Sequence, residues 1–113
     1  MAYVDGFITS ATDREAYRAY SEKVSPIFKR YGALRVVDCW GDSVPAGQRT
    51  DFYRAVAAEP GETVAFSWIE WPDKAARDAA WQQIEAEGAF EPGDTPFDMK
   101  RMIFGGFETI VDL

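Results

Sequence analysis

Asp5, Asp38 and Glu70 each fall inside a strand-like run among aromatic residues, interleaved with Phe7, Trp40, Phe66 and Trp68. Strand alternation is read as placing the three carboxylates on one sheet face, with Glu108 joining them if the last strand keeps that register. Clustered carboxylates raise one another's pKa and can form a general acid/base pair. They can also present oxygens to a hard cation. The competing reading leaves each one near a strand end, solvated at a rim, and no metal ion is expected. Arg54 stands in the apolar run Phe52-Tyr53-Arg54-Ala55-Val56. A guanidinium there could pair bidentately with a ligand carboxylate, or close a structural pair with Asp38 or Glu70, the expected outcome. Asp38, for proton transfer, and Arg54, for orienting a substrate, are the catalytic candidates. Arg54, Trp68 and Arg101 are the ligand-binding candidates. Lys100 and Arg101 follow Asp98 and could hold an anion at a cavity mouth or form a surface charge cluster.

The residue types that are missing narrow the chemistry further. The 113 residues include no histidine and one cysteine, Cys39. That removes the usual general base, the usual nitrogen ligand of zinc or haem, and every Ser-His or Cys-His arrangement. It also removes any intrachain disulfide. Cys39 lies mid-strand without a base to ionise it, so it reads as a small core residue rather than a nucleophile. The tryptophans could donate electrons in a cofactor-free oxygenase, but are more simply core or interface anchors. No cofactor is expected.

The formal net charge is −7 with no run of like charge. That balance lacks the basic footprint a nucleic-acid binder needs and is ill suited to an anionic membrane surface. The N-terminus has no basic segment followed by an apolar run, and no stretch approaches transmembrane length. A cytoplasmic protein of one domain, residues 1–113, is the expectation. A hydrophobic fraction of 47% is enough for a core without disulfides.

These side chains must be positioned by the elements around them. Strands are expected at Tyr3–Ser10, Leu34–Trp40, Glu62–Trp71 and Lys100–Val111. Thr12 and Glu15 form a capping box for a helix whose inner face carries Tyr17, Tyr20, Val24, Ile27, Phe28 and Tyr31. Pro26 should kink or divide that helix, and Gly32 should end it. Residues 41–50 read as a loop, 51–58 as a short helix or irregular extension, and 59–61 as a turn. A further helix opens at Pro72 with Asp73 as N-cap, its inner face Ala76, Ala79, Ala80, Gln83 and Ile84. Residues 88–94 read as a polar loop. The order strand, helix, strand, strand, helix, strand is the ferredoxin-like pattern: an α+β fold with both helices on one face of an antiparallel sheet.

Such a sheet should be apolar on one face only. Here Val64, Phe66 and Trp68 alternate with Ala65, Ile69 and Trp71, and Ile103 and Phe107 alternate with Phe104. Two helices cover one face. The other would be an exposed patch, and burying ~500 Å² of it would contribute on the order of 12 kcal/mol before association costs. A second copy related by a two-fold axis is the simplest cover, so a homodimer is expected. Small groups at Gly6, Ser67 and Gly105 leave either an apolar pocket or room for close helix packing, and a small molecule is the other expected partner. Gly105 and Gly106 inside the last strand mark a bulge or a close approach to the backbone.

Four segments carry a resemblance to a known family: Tyr3-Val4-Asp5-Gly6-Phe7, Asp51-Phe52-Tyr53-Arg54-Ala55-Val56, Glu62-Thr63-Val64-Ala65-Phe66-Ser67-Trp68-Ile69, and Pro96-Phe97-Asp98 through Gly105-Gly106-Phe107-Glu108. Through them the chain resembles, nearly end to end, the YbaA-like family (DUF1428), a domain of unknown function within the dimeric α+β barrel group. The resemblance implies that two ferredoxin-like sheets close face to face. It supplies no reaction. Relatives in the wider group include cofactor-free monooxygenases, lactone isomerases and haem-degrading enzymes, whose catalytic motifs this chain lacks. The expected function is therefore that of a homodimeric barrel taking a small apolar or aromatic molecule. A cofactor-independent monooxygenase or isomerase is one rival, and a purely structural protein with a filled interior the other.

Overall fold

The computed structural model describes residues 1–90 and 93–113; the expected polar loop at 88–94 lies partly outside the described residues. The elements are β1 (Tyr3–Ala11), α1 (Arg14–Arg30), β2 (Arg35–Trp40), α2 (Phe52–Ala55), β3 (Thr63–Trp71), α3 (Lys74–Glu87) and β4 (Ile103–Glu108). The four strands form one antiparallel sheet in the order β2-β3-β1-β4, the ferredoxin-like arrangement expected from the element order.

The strand register assigns every side chain to a face, because directly opposed residues share one. Phe7 opposes Ser67 and Phe104, while Asp5 opposes Ile69 and Gly106. Val36 opposes Ile69, and Asp38 opposes Ser67. These residues, with Tyr3, Trp71 and Trp40, face the two long helices. The core lies here: Tyr3, Ile69 and Trp71 pack with Phe28 of α1 and Ala80 and Ile84 of α3. The opposite face is a grid of three rows, Phe107-Val4-Glu70-Arg35, Gly105-Gly6-Trp68-Val37 and Ile103-Ile8-Phe66-Cys39.

Several expectations change on this map. Glu70 lies on the face opposite Asp5 and Asp38, since an even position on β3 opposes Val4 rather than Asp5. Gly6 and Ser67 are likewise on opposite faces, so they do not share a pocket. Cys39 is exposed on the open face rather than packed in the core. β4 begins at Ile103, because Asp98 to Arg101 is taken up in a turn closed by the Asp98 carboxylate on the Lys100 N–H.

The α1 N-cap is Asp13, whose Oδ1 accepts from Ala16 N–H at 3.0 Å, and not Thr12. An Asp accepts the orphan donor as well as a Thr does, so the cap moved by one residue. Pro26 sits inside α1 without ending it. The carbonyl that it leaves without a helical donor belongs to Glu22, on the exposed side where water can serve it. Asp73 caps α3 as expected, through Ala76 N–H at 2.8 Å, and Gly88 ends it at φ 58°. The buried stripe of α3 runs through Arg77, Ala80, Trp81 and Ile84, while Ala79 and Gln83 are exposed. The helix is rotated because Arg77 and Trp81 reach a buried partner on β1.

The two strand glycines admit aromatic rings. A Cβ on Gly106 would stand 2.8 Å from the Tyr3 ring, and one on Gly105 would meet the Phe107 ring at 3.4 Å. The close approach read from the sequence is made by the chain's own side chains.

Candidate functional site

The open face carries a broad concavity. Neither α1 nor α3 reaches it. Only its far end is capped, where Phe52 of α2 meets Phe66 at 6.3 Å between ring centroids and Val56 is buried. The remainder is a concavity of about 640 Å³ lined by Val4, Ile8, Phe66, Trp68, Ile103 and Phe107, floored by the side-chain-free pair Gly6 and Gly105. Its walls are almost wholly apolar. At its edge stand Thr109, Asp112 and Glu70, and the Oε2 of Glu70 accepts from Trp68 Nε1 at 2.9 Å and lies 3.7 Å from Arg35 Nη1. The indole fixes the carboxylate and the carboxylate fixes the ring, so Trp68 presents a defined flat wall.

The other predicted site residues are dispersed. Asp38 points toward α1, accepting from the Tyr17 hydroxyl at 3.1 Å and from the Ser21 hydroxyl. Burial, and then the negative charge of Asp38, pushes the Tyr17 phenol above its ordinary pKa, and Tyr20 is raised for the same reasons. Both tyrosines are therefore hydrogen-bond donors at neutral pH and not bases. Trp40 and Phe97 close over Tyr17.

Arg54 pairs with neither Asp38 nor Glu70. Its guanidinium holds the preceding loop instead, donating to Asp51 Oδ2 at 3.1 Å, Arg49 O at 2.8 Å and Gly47 O. Asp51, one turn earlier and already the α2 cap, is simply the nearest carboxylate. Asp38 and Arg54 are thus not brought together, and the side chain of Arg54 is half exposed.

Arg101 is also engaged within the chain. It grips Glu62 bidentately at 2.7 and 2.9 Å, and reaches Asp98 Oδ2 at 3.0 Å and Ala57 O at 3.0 Å. The fork ties the turn before β4 to the loop before β3. The Arg101 guanidinium, followed by the Glu59 backbone N–H, holds Glu62 at about 2 instead of 4.5. A carboxylate with a depressed folded-state pKa contributes stability above its unfolded value, and that contribution disappears as pH falls through the folded value. Between about pH 4.5 and about pH 2 the wild type should therefore lose stability more steeply than Glu62→Gln. Paired thermal melts across that window check it, and parallel pH profiles would contradict it.

One constellation went unrecognised in the sequence. Asp5 is 3% exposed and receives four donors: Trp71 Nε1 at 2.9 Å, Trp81 Nε1 at 2.9 Å, and Arg77 Nε and Nη2 at 3.0 and 2.7 Å. The hydrogen bonds from Arg77 to Asp5 raise the guanidinium pKa above its ordinary value, and its carbon lies 5.4 Å from the Tyr3 ring centre. A signal was present. Asp5 alternates with the inward residues Tyr3 and Phe7, and Arg77 shares a helical stripe with Ala80, Trp81 and Ile84. A charge on each of two apolar stripes implies a buried pair. The site is satisfied on all sides and offers no room to a ligand. Among the described residues, no three His, Cys, Asp or Glu side chains are grouped to hold a metal ion. None of the described helices is long and apolar enough to cross a membrane.

The fold has a solved counterpart. A dimeric ferredoxin-like protein from an uncultured marine organism superposes on the chain with a TM-score of 0.58, at 11% identity and over 100% of both chains. At that identity the likeness is one of fold. Sequence likeness reaches further. The chain is 52% identical over 116 aligned residues to the uncharacterized protein YbaA of Escherichia coli K12, covering 99% of each, and equally so to that of Shigella flexneri. Residues 2–99 match the model of DUF1428, which spans the α1 cap, the Asp5 network and the Trp68–Glu70 wall, so this chain belongs to that family of proteins of unknown function.

Proposed function

We propose that the chain acts as a homodimer whose two open sheet faces meet and enclose a chamber for a small apolar, ring-bearing molecule. The observation that carries this reading is the open face itself, which is apolar across three rows yet uncovered by either long helix. A second copy removes that surface from water. That the marine fold neighbour is described as a dimeric ferredoxin-like protein supports assembly as a dimer. Planar walls at Trp68, Phe66 and Phe107 suit a flat ring. The Glu70 carboxylate, held by Trp68, would accept a hydrogen bond from a hydroxyl or amine on it. An enzyme built on Asp38 and Arg54 is not favoured, because Asp38 faces α1 while α2 packs on the other side of the sheet through Phe52.

Native mass spectrometry of protein purified from its own host tests the proposal. The expected result is a dimer carrying an organic adduct, lost on denaturation, and depleted in Trp68→Ala. A dimer that arrives clean and shows no saturable binding of 2-naphthol would overturn the ligand and leave a filled, structural interior. A stable monomer would overturn the dimer.

A further inference from the structure

We infer that residues 109–113 form an arm by which each copy grips a second copy of the chain. The inference rests on the dimer just proposed and extends its contact to the edge of the sheet. β4 is an edge strand, and the main helix contacts with the sheet fall on β2 and β3, with Arg77 and Trp81 of α3 reaching Asp5 on β1. Phe104 is on the helix-side face by register, stacks on Phe7 at 6.3 Å between ring centroids and borders the concavity at the sheet edge, yet it is 70% exposed. β4, Ile103 to Glu108, contains no proline, and its one charge stands at the last position, so the run Ile103-Phe104-Gly105-Gly106-Phe107 lacks the devices that normally blunt a free edge. An unblunted apolar edge is suited to being covered.

The segment that follows has the complementary need. Thr109 N–H still donates to Ala2 O at 3.3 Å, so the chain leaves in line with β4. Beyond it there is neither helix nor strand, and Ile110 and Val111 are 85% and 66% exposed. Thr109 and Asp112 line the concavity. The arm therefore leaves at the rim of the open face, on the side that a facing copy would occupy. One chain thus holds an apolar edge without cover and an apolar arm without a seat, and a two-fold axis satisfies both needs twice.

The area favours the same occupant. The exposed parts of Phe66, Ile103 and Phe107 amount to on the order of 300 Å², at roughly 200 Å² for a whole aromatic side chain. Phe104, Ile110 and Val111 more than double that, toward the ~800 Å² per partner of a stable interface.

Site-specific photo-cross-linking separates this inference from the dimer itself. p-Benzoylphenylalanine is placed at position 110 in one preparation and at position 66 of the open face in another. Covalent dimers are expected from both, with the position-110 product mapping to residues near β4 of the other copy. Ile110→Asp/Val111→Asp, altering two largely exposed residues, should weaken the dimer by roughly tenfold or more. Cross-linking from position 66 but not 110, with dimer affinity unchanged in the double variant, would overturn the arm and leave the face-to-face dimer standing. Cross-linking from neither position would overturn both.

Discussion

Arg77→Met should lower stability by about 3 kcal/mol, a fall in Tm on the order of 10 °C for a chain of this size. The variant keeps the length and apolar stem of the side chain and removes its charge. What remains is the Asp5 carboxylate, 3% exposed and reduced to its two indole donors. Breaking a buried pair from one side costs about 3–5 kcal/mol, and the lower end applies because the Arg77 side chain is 24% exposed. Asp5→Leu/Arg77→Met should lose less than the two single variants combined, since no charge is then stranded. It should not recover wild-type stability, because two buried indole N–H groups are left without an acceptor, at about 1–3 kcal/mol each. Chemical denaturation of the four proteins gives the coupling energy directly. A loss below about 1 kcal/mol in Arg77→Met would mean that water replaces the guanidinium and that Asp5 behaves as a surface carboxylate.

That network marks the boundary of what the sequence made legible. Element order and type followed from local signals: Asp73 before the alanine-rich helix, Gly88 after it, and the β-branched and aromatic run of β3. Those signals act within a few residues, and the fold they imply is the one observed. The assignment of Asp5, Asp38 and Glu70 to one face needed inter-strand register, which no local signal provides. One position of slip moves a side chain to the other face, and this is how Glu70 was misplaced. Arg54 illustrates a different shortfall. Its partner was sought across the sheet, whereas Asp51 and the carbonyls of Gly47 and Arg49 lay within its own loop. A local partner costs less chain entropy to bring together than a distant one. The open face was legible because it needed only the alternation of apolar residues on both sides of the strands and a count of the helices available to cover them.

Phe107→Asp should convert the proposed dimer to a folded monomer at micromolar concentration. Phe107 is 61% exposed in the single copy, so the substitution removes little packing and leaves the Asp5 core untouched. Its ring lies over Gly6 and Gly105 of its own chain, and in the proposed dimer that position is buried between the two faces. A carboxylate there must lose its water without gaining a partner, and the two-fold axis brings in two such groups for each dimer formed. A penalty of about 3 kcal/mol raises the dissociation constant roughly a hundredfold. Sedimentation velocity over a concentration series reads the shift. The Tm gives a second measure, because dimerisation makes the wild-type value rise with protein concentration while a monomeric variant melts at a constant temperature. A variant that sediments as the wild type does would show that the open face is not the contact between copies. The apolar rows of the sheet would then face water or another partner, and the chamber proposed between two faces would not exist. A variant that is monomeric, folded and unable to retain the apolar ligand would tie assembly and binding to the same three rows of side chains.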